Sequence, residues 1–422
     1  MKLLVVGSGG REHTLVTKLL QSPRVDEIFV APGNGGMSVC CTPVDIKATD
    51  IDNMVRFAVE NKIDFAVVAP DDPLVLGMVD ALEAAGIPAF GPDKKAAILE
   101  GSKVFSKDLM KKYGIPTAKY ETFDSEEAAV SYIKAENIYP TVIKADGLAL
   151  GKGVIIAQNE KEAIDAVHSI MGDKIFGASG NHIVIEEFLE GPEVSVLAFT
   201  DSHTIVPMVS AKDHKRALDN DEGLNTGGMG TIAPNPYYTD AVAKECMEKI
   251  FVPTIEAMNK EGRPFKGCLF FGLMITKNGT KVIEYNCRFG DPETQVVLPL
   301  LQSDLLTIFE AVRNERLSEV QVKFSKDSAA CVVMASGGYP QKYQTGYEIE
   351  GLDEKGQASG VTVFHAGTKA ENGKFLTAGG RVLGVTAIGK DREDALKKSY
   401  EAVSKIHFKD AHYRRDIGKI KS

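Results

Sequence analysis

Glu284-Tyr285-Asn286 ends an apolar run and sets two oxygen donors two residues apart. In an extended strand that spacing puts both side chains on one face. A carboxylate and a carboxamide there suit Mg²⁺, with Mn²⁺ as a substitute, because such an ion takes few protein ligands and completes its shell with water and phosphate. Arg288 follows at once, in Arg288-Phe289-Gly290-Asp291-Pro292-Glu293-Thr294-Gln295. An arginine beside the cation can neutralise charge building on a transferring phosphoryl group. Asp291 is a candidate to hold a substrate amine.

A second constellation is Asp146-Gly147-Leu148-Ala149-Leu150-Gly151-Lys152-Gly153, between Thr141–Lys144 and Val154–Ile156. Its glycines and lysine describe a flap that can fold over a polyphosphate. The G-K-[ST] ending of a Walker A loop is missing and a strand follows, so it is not that loop. Lys144 stands on the apolar strand before the flap. A lysine there needs an anionic partner, because a buried unpaired ammonium is costly. Lys103, in Gly101-Ser102-Lys103, is a further candidate cation.

Three more segments carry weaker signals. Ile183–Leu189 runs into paired acids, Glu186 and Glu187, with Glu193 just past a turn; alone, this reads equally as an ordinary strand end. Lys212-Asp213-His214-Lys215-Arg216 is a cationic cluster in an acidic chain, either a solvated loop or an anion site. The nearby Asn225-Thr226-Gly227-Gly228-Met229-Gly230 favours the latter by permitting close backbone approach. Gly7-Ser8-Gly9-Gly10-Arg11-Glu12 joins a strand to a helix. Glu12 replaces the third glycine of a dinucleotide loop, and Ala31-Pro32-Gly33-Asn34 offers no acid for a ribose, which argues against NAD. The loop can still give N–H groups to a phosphate, with Arg11 beside it.

The elements that position these residues follow from periodicity. The first hundred residues repeat strand, Gly/Pro turn and helix, the pattern of a parallel α/β sheet. One continuous helix is expected over 74–85. Short strands and helices between 118 and 189 form a small α+β module. A hairpin turning at Asn278-Gly279 carries Glu284, and a helix is expected over 240–261. Short strands with Gly turns follow Phe324, closed by an amphipathic helix from Arg392.

Composition sets the outer limits. The chain has 422 residues, 44% hydrophobic and 25% charged, with a formal net charge of −9. That balance is globular, and it argues against nucleic acid or anionic membrane as the main partner. The apolar run at the N-terminus is too short for a signal peptide or a membrane span. Six cysteines without C-x-x-C spacing indicate reduced thiols and a cytoplasmic protein.

Together these residues carry a family likeness. Lys144, the glycine flap, Glu186-Glu187-Phe188-Leu189, Glu193 and Glu284-x-Asn286 occur in the order used by ATP-grasp ligases. With Gly7–His13, Ala31–Asn34, Asp213–Arg216 and Asn225–Gly230, the chain resembles the glycinamide ribonucleotide synthetase family over most of its length. The resemblance implies an ATP-grasp fold, α/β and α+β, with an N-terminal parallel α/β domain (1–100), a core (101–122 and 191–325), a lid (123–190) and a C-terminal β-rich domain (326–422).

It further implies a monomeric carbon–nitrogen ligase of purine synthesis that joins glycine to 5-phosphoribosylamine through a glycyl phosphate. Lys103 and Lys144 would contact ATP phosphates under Gly147, Gly151 and Gly153. Glu187 and Leu189 would hold the adenine through backbone groups beside Glu186, and Glu193 the ribose. Glu284 and Asn286 would ligate Mg²⁺, and Arg288 with Lys144 would be catalytic. Apart from the resemblance, the Gly9-Gly10-Arg11 turn with Asn34 is the candidate site for the ribosylamine phosphate, and Asp213 and Asp291 are candidates for substrate amines. Many ATP-grasp proteins carry another acid on the strand before Glu284; here it reads Gly272-Leu273-Met274. Another ATP-grasp ligase, a biotin carboxylase-like enzyme and a non-catalytic nucleotide-binding module are the alternatives.

Overall fold

The computed structural model describes residues 1–148 and 153–420; Gly151 and Lys152 of the flap lie outside the described residues. Leu3–Val6 is apolar without alternation and completely buried, as a central parallel strand covered on both faces must be. It lies in Lys2–Gly7, the middle of a five-stranded parallel sheet ordered 42–43, 27–32, 2–7, 65–68, 89–90. The chain builds outward on one side and then crosses to the other. The loops after Lys2–Gly7 and Phe65–Val68 therefore open side by side at the strands' carboxyl ends, the crevice where such sheets bind ligands.

Two antiparallel sheets carry Lys144, Glu186, Glu187, Glu193, Glu284 and Asn286. In the smaller, the order is Tyr120–Phe123, Ile183–Glu187, Thr141–Ala145, Val154–Ala157, backed by helices Glu126–Glu136 and Glu160–Val167. Lys144 pairs with Val184 and Val142 with Glu186, so Lys144 and Glu186 are diagonal neighbours on one face. The larger sheet runs Ile205–Pro207, Glu193–Asp201, Lys266–Thr276, Gly279–Asn286. Its last hairpin is irregular: Gly272 faces Glu284 while Leu273 faces Val282. Ile283 is the extra residue of a bulge, and its carbonyl is freed from the ladder.

The C-terminal sheet is ordered 212–213, 230–233, 328–335, 381–389, 362–365, with helix Arg392–Val403 packed on it. It takes strands from both sides of residue 326. Phe90 stacks on Phe309 with ring centroids 3.8 Å apart, and Phe199 and Phe289 pack edge-on to one another beside them. This aromatic cluster joins the parallel sheet to the larger antiparallel one.

Two helices differ from expectation. Residues 74–85 are split into Asp71–Leu76 and Met78–Ala84 at Gly77, whose φ of +96° is left-handed. The helix over 240–261 holds a π turn at Met247–Phe251. Pro253, lacking an N–H, comes after it with one residue between, and a widened turn accommodates its ring.

Candidate active site

Lys144 and Lys107 share one buried carboxylate. Lys144 Nζ is 2.9 Å from Glu186 Oε1 and Lys107 Nζ is 3.0 Å from Glu186 Oε2. The residues are 4%, 2% and 4% exposed respectively for Lys144, Lys107 and Glu186, so neither lysine is a surface charge. Burial pulls the Lys107 ammonium down to about 8 against the opposing pull of Glu186. Lys107 also donates to Thr117 Oγ1 at 2.8 Å, and Lys144 to the freed Ile283 carbonyl at 3.2 Å. Lys103, one turn before Lys107, donates to Gly147 O at 2.9 Å and so touches the base of the flap. Asp146 caps the same helix start, accepting from Val104 N and Ser102 Oγ at 3.1 Å each.

Across from these cations stands the hairpin strand. Burial alone would raise the Glu284 carboxyl, but Lys215, Lys144, Lys103 and Arg288 outweigh it and hold the group below the usual range. Asn286 Oδ1 accepts a hydrogen bond from Arg288 Nη2 at 3.3 Å. An ionised carboxylate and an amide oxygen on one face fit a hard cation. No group of three or more His, Cys, Asp or Glu gathers among the described residues, and the position opposite Glu284 is Gly272. A cation held here would draw most of its shell from phosphate and water oxygens. Arg288 is fixed by Glu100 at 3.1 Å and by Asp71, 3.9 Å away at the start of helix Asp71–Leu76.

The N-terminal loop meets the other end of this run. Gly9 N donates to Glu12 Oε2 at 2.6 Å, and Arg11 Nε pairs with Glu12 Oε1 at 2.7 Å. A Cβ on Gly7, at φ +126°, would lie 2.5 Å from Glu12 Cγ, so the turn requires glycine. Arg11 N approaches Asp291 Oδ2 at 3.3 Å and its guanidinium reaches Phe289 O at 3.3 Å. Burial works to raise the Asp291 carboxyl, but Arg381 and Arg11 hold it down. Asn34 Nδ2 donates to Ser8 O and His365 O at 2.9 and 2.8 Å, and its Oδ1 accepts from Met37 N. Its side chain thus binds two loops together.

The cationic segment faces the same cleft. Lys215 Nζ is 3.2 Å from Glu193 Oε2, and Glu193 is the main reason the ammonium is held up. Burial pushes Asp213 well above, and Glu293 above, the carboxylate range, the charge of Glu293 adding to the effect on Asp213. Ser195 Oγ donates to Glu293 Oε1 at 3.1 Å. The C-terminal residues clasp the loop from behind: Gly418 N donates to His214 Nε2 at 3.0 Å, and buried Arg414 pairs with Asp221 and Asp416 at 3.0 and 2.8 Å.

The cleft thus brings together Lys103, Lys144, Gly147, Glu284, Asn286, Arg288 and, at its far wall, Asp213, Asp291 and Gly9–Arg11. Glu186 is spent on two lysines. Glu187 joins Lys281 Nζ and Lys119 N through its carboxylate, and next to it Phe188 is exposed. Sequence reasoning missed Lys107, Glu100, Asp71, Glu293 and Arg381. The spacing of Lys103 and Lys107 on one helix face was the available signal for the first. Arg381 came from the C-terminal sheet without any motif. Its Nη1 donates to Gly227 O and Asp291 O at 2.8 Å each.

A lysine-bearing antiparallel sheet beside a hairpin with Glu-x-Asn defines an ATP-grasp protein, whose site takes ATP and a divalent cation. Residues 1–100, 101–294 and 329–420 match in turn the N domain, the ATP-grasp (A) domain and the C domain of phosphoribosylglycinamide synthetase, and the chain belongs to that family. The phosphoribosylamine–glycine ligase of Fusobacterium nucleatum is 47% identical, covering 100% of this chain and 99% of its own. The crystal structure of the Thermotoga maritima phosphoribosylamine–glycine ligase superposes with a TM-score of 0.86 at 34% identity, over 99% of this chain and 100% of that one. The biotin carboxylase domain of the Hydrogenobacter thermophilus 2-oxoglutarate carboxylase, solved with MgADP and bicarbonate, shares the fold at a TM-score of 0.74 and 16% identity, over 98% and 91% of the two chains. No helix among the described residues is long and apolar enough to cross a membrane.

Proposed function

We propose that this chain joins glycine to 5-phosphoribosylamine with ATP, giving glycinamide ribonucleotide, ADP and phosphate in purine synthesis. The observation that carries the reading is the ring of Lys103, Lys144, Lys215 and Arg288 around an ionised Glu284, in a chain of this family. A carboxylate does not condense with an amine at a useful rate, because its oxygen is a poor leaving group. A glycine carboxylate oxygen attacks the γ-phosphorus of ATP, ADP departs, and glycyl phosphate forms. The ribosylamine nitrogen then attacks its carbonyl; phosphate leaves and the nitrogen gives up one proton.

The protein's task in these steps is positioning and charge neutralisation. Lys144, Lys103 and Arg288 face the phosphates, and Glu186, with its partner Lys107, fixes the direction of Lys144. Glu284 and Asn286 hold Mg²⁺, which when bound offsets phosphate charge as a Lewis acid. Main-chain groups at Glu187 and Leu189 receive the adenine, and Glu193 the ribose. The Gly9–Arg11 turn, tied to its neighbour by Asn34, takes the ribosylamine phosphate, and Asp213 and Asp291 the amines. The lid excludes water that would hydrolyse the acyl phosphate.

The test supplies the purified protein with ATP, Mg²⁺ and phosphoribosylamine, and compares glycine, bicarbonate and formate as the carboxylate. ADP release that needs both glycine and the amine supports the reading. Release with bicarbonate or formate but not with glycine overturns it.

A further inference from the structure

Cys40 and Cys41 are adjacent in sequence and lie where the short helix Met37–Val39 ends. Both amides bond to one carbonyl, Met37 O, at 3.1 and 2.8 Å, so the two residues are held in one turn. Their sulfurs stand 3.7 Å apart, with Cys40 exposed and Cys41 half-buried. The other four cysteines are buried. The mechanism above uses none of the six.

The pair is badly placed for a disulfide. Consecutive Cα atoms are about 3.8 Å apart across a trans peptide, short of the roughly 4.4–6.8 Å that disulfides span. Closing a bond would distort the turn. A single large, soft atom with longer bonds to sulfur can bridge both thiols where a direct S–S bond cannot. Thiolate ligands select such soft centres.

We infer that Cys40 and Cys41 form a chelating dithiol site for a trivalent arsenical or an equally thiophilic centre. An arsenoxide, R–As=O, reacts with two thiols so that two As–S bonds form. Both thiol protons leave with the oxygen as water, and no oxidation state changes. The first attack falls to Cys40, the exposed member of the pair, whose thiol is lowered by its hydrogen bond with Cys41, while Cys41 is raised. The site sits at the end of the segment that begins with Asn34. That segment is pinned to the C-terminal sheet region by Gly35 N to Thr368 O at 3.0 Å, so the turn is prearranged and not assembled by the ligand.

The experiment incubates the native chain with phenylarsine oxide and reads its intact mass. One adduct per chain is expected, stable to excess glutathione and removed by a dithiol. Cys40→Ser and Cys41→Ser, each checked for an unchanged thermal transition, are both expected to lose the glutathione-stable adduct. No adduct on the wild type, or one that survives glutathione equally in either variant, overturns the inference. The readout is mass, so it is independent of the ligase reading.

Discussion

The Lys144 ammonium donates to the main-chain oxygen of Ile283 across 3.2 Å, tying the lid to the strand of Glu284 and Asn286. The oxygen is available because Ile283 stands out of the hairpin ladder. On the proposed reading, Lys144→Ala removes a phosphate contact, and with it go the tie to Ile283 O and one of the two cations on Glu186. Turnover should fall about 10²–10³-fold, the usual effect of losing one preorganised donor to a reacting oxyanion. Deleting one member of a buried pair costs about 3–5 kcal/mol, and Lys107 should keep the loss at the low end. Steady-state kinetics and urea titration check both, and wild-type turnover would contradict the assignment.

Glu284→Gln keeps the shape and removes the charge. The proposed cation site then has two neutral donors among four cationic side chains. Turnover is expected to fall at least about 100-fold, and the Mg²⁺ concentration needed for half-maximal activity to rise. An unchanged Mg²⁺ titration would place the cation elsewhere. Chelating the metal with EDTA should abolish wild-type activity, and restoring Mg²⁺ should recover it.

His13 and His365 join the N-terminal helix to the C-terminal sheet, with His365 N donating to His13 Nδ1 at 2.8 Å. Burial lowers them from 6.5 to about 3 and about 4, the neighbouring His365 adding to the effect on His13. Below pH 6.5 the unfolded chain takes up protons that the folded chain does not. Stability should therefore fall as pH falls from 6.5 toward 4, by about 1.4 kcal/mol per pH unit for each histidine. The raised carboxyls of Asp213 and Glu293 act in the opposite sense. The difference between wild type and His365→Gln in urea midpoints at pH 7 and pH 5 isolates the histidine, and the variant should show the flatter dependence.

Arg381 is a positioning residue: it holds Gly227 O and Asp291 O from the C-terminal sheet. A hydrogen bond from a charged group contributes about 1.5–3 kcal/mol, which corresponds to a tenfold to hundredfold effect. Arg381→Ala should raise KM for glycine or the ribosylamine by about that factor while leaving KM for ATP unchanged. A rise confined to ATP would contradict this placement, and Arg381→Lys should restore only part of the loss.

Much of this candidate site was legible because it is local. Glu284-x-Asn286 and the flap announce themselves by spacing, and Lys144 by its charge in an apolar strand. What the sequence hid is pairing across long distances. Lys107 looks like one more solvated lysine in Lys103–Tyr113 until Glu186 is seen beside it. Glu100 and Asp71 gain meaning only through Arg288. The helix break at Gly77 and the π turn before Pro253 had local causes that periodicity alone does not weigh. The Asp213 strand joins the C-terminal sheet by non-local pairing, which no motif encodes.

The central claim is that ATP activates glycine as an acyl phosphate. The direct measurement uses glycine labelled with ¹⁸O in its carboxylate and reads the mass of the inorganic phosphate released with ADP. One carboxylate oxygen should be transferred, giving phosphate with a single ¹⁸O for each glycinamide ribonucleotide formed. Unlabelled phosphate alongside normal product formation would contradict the account.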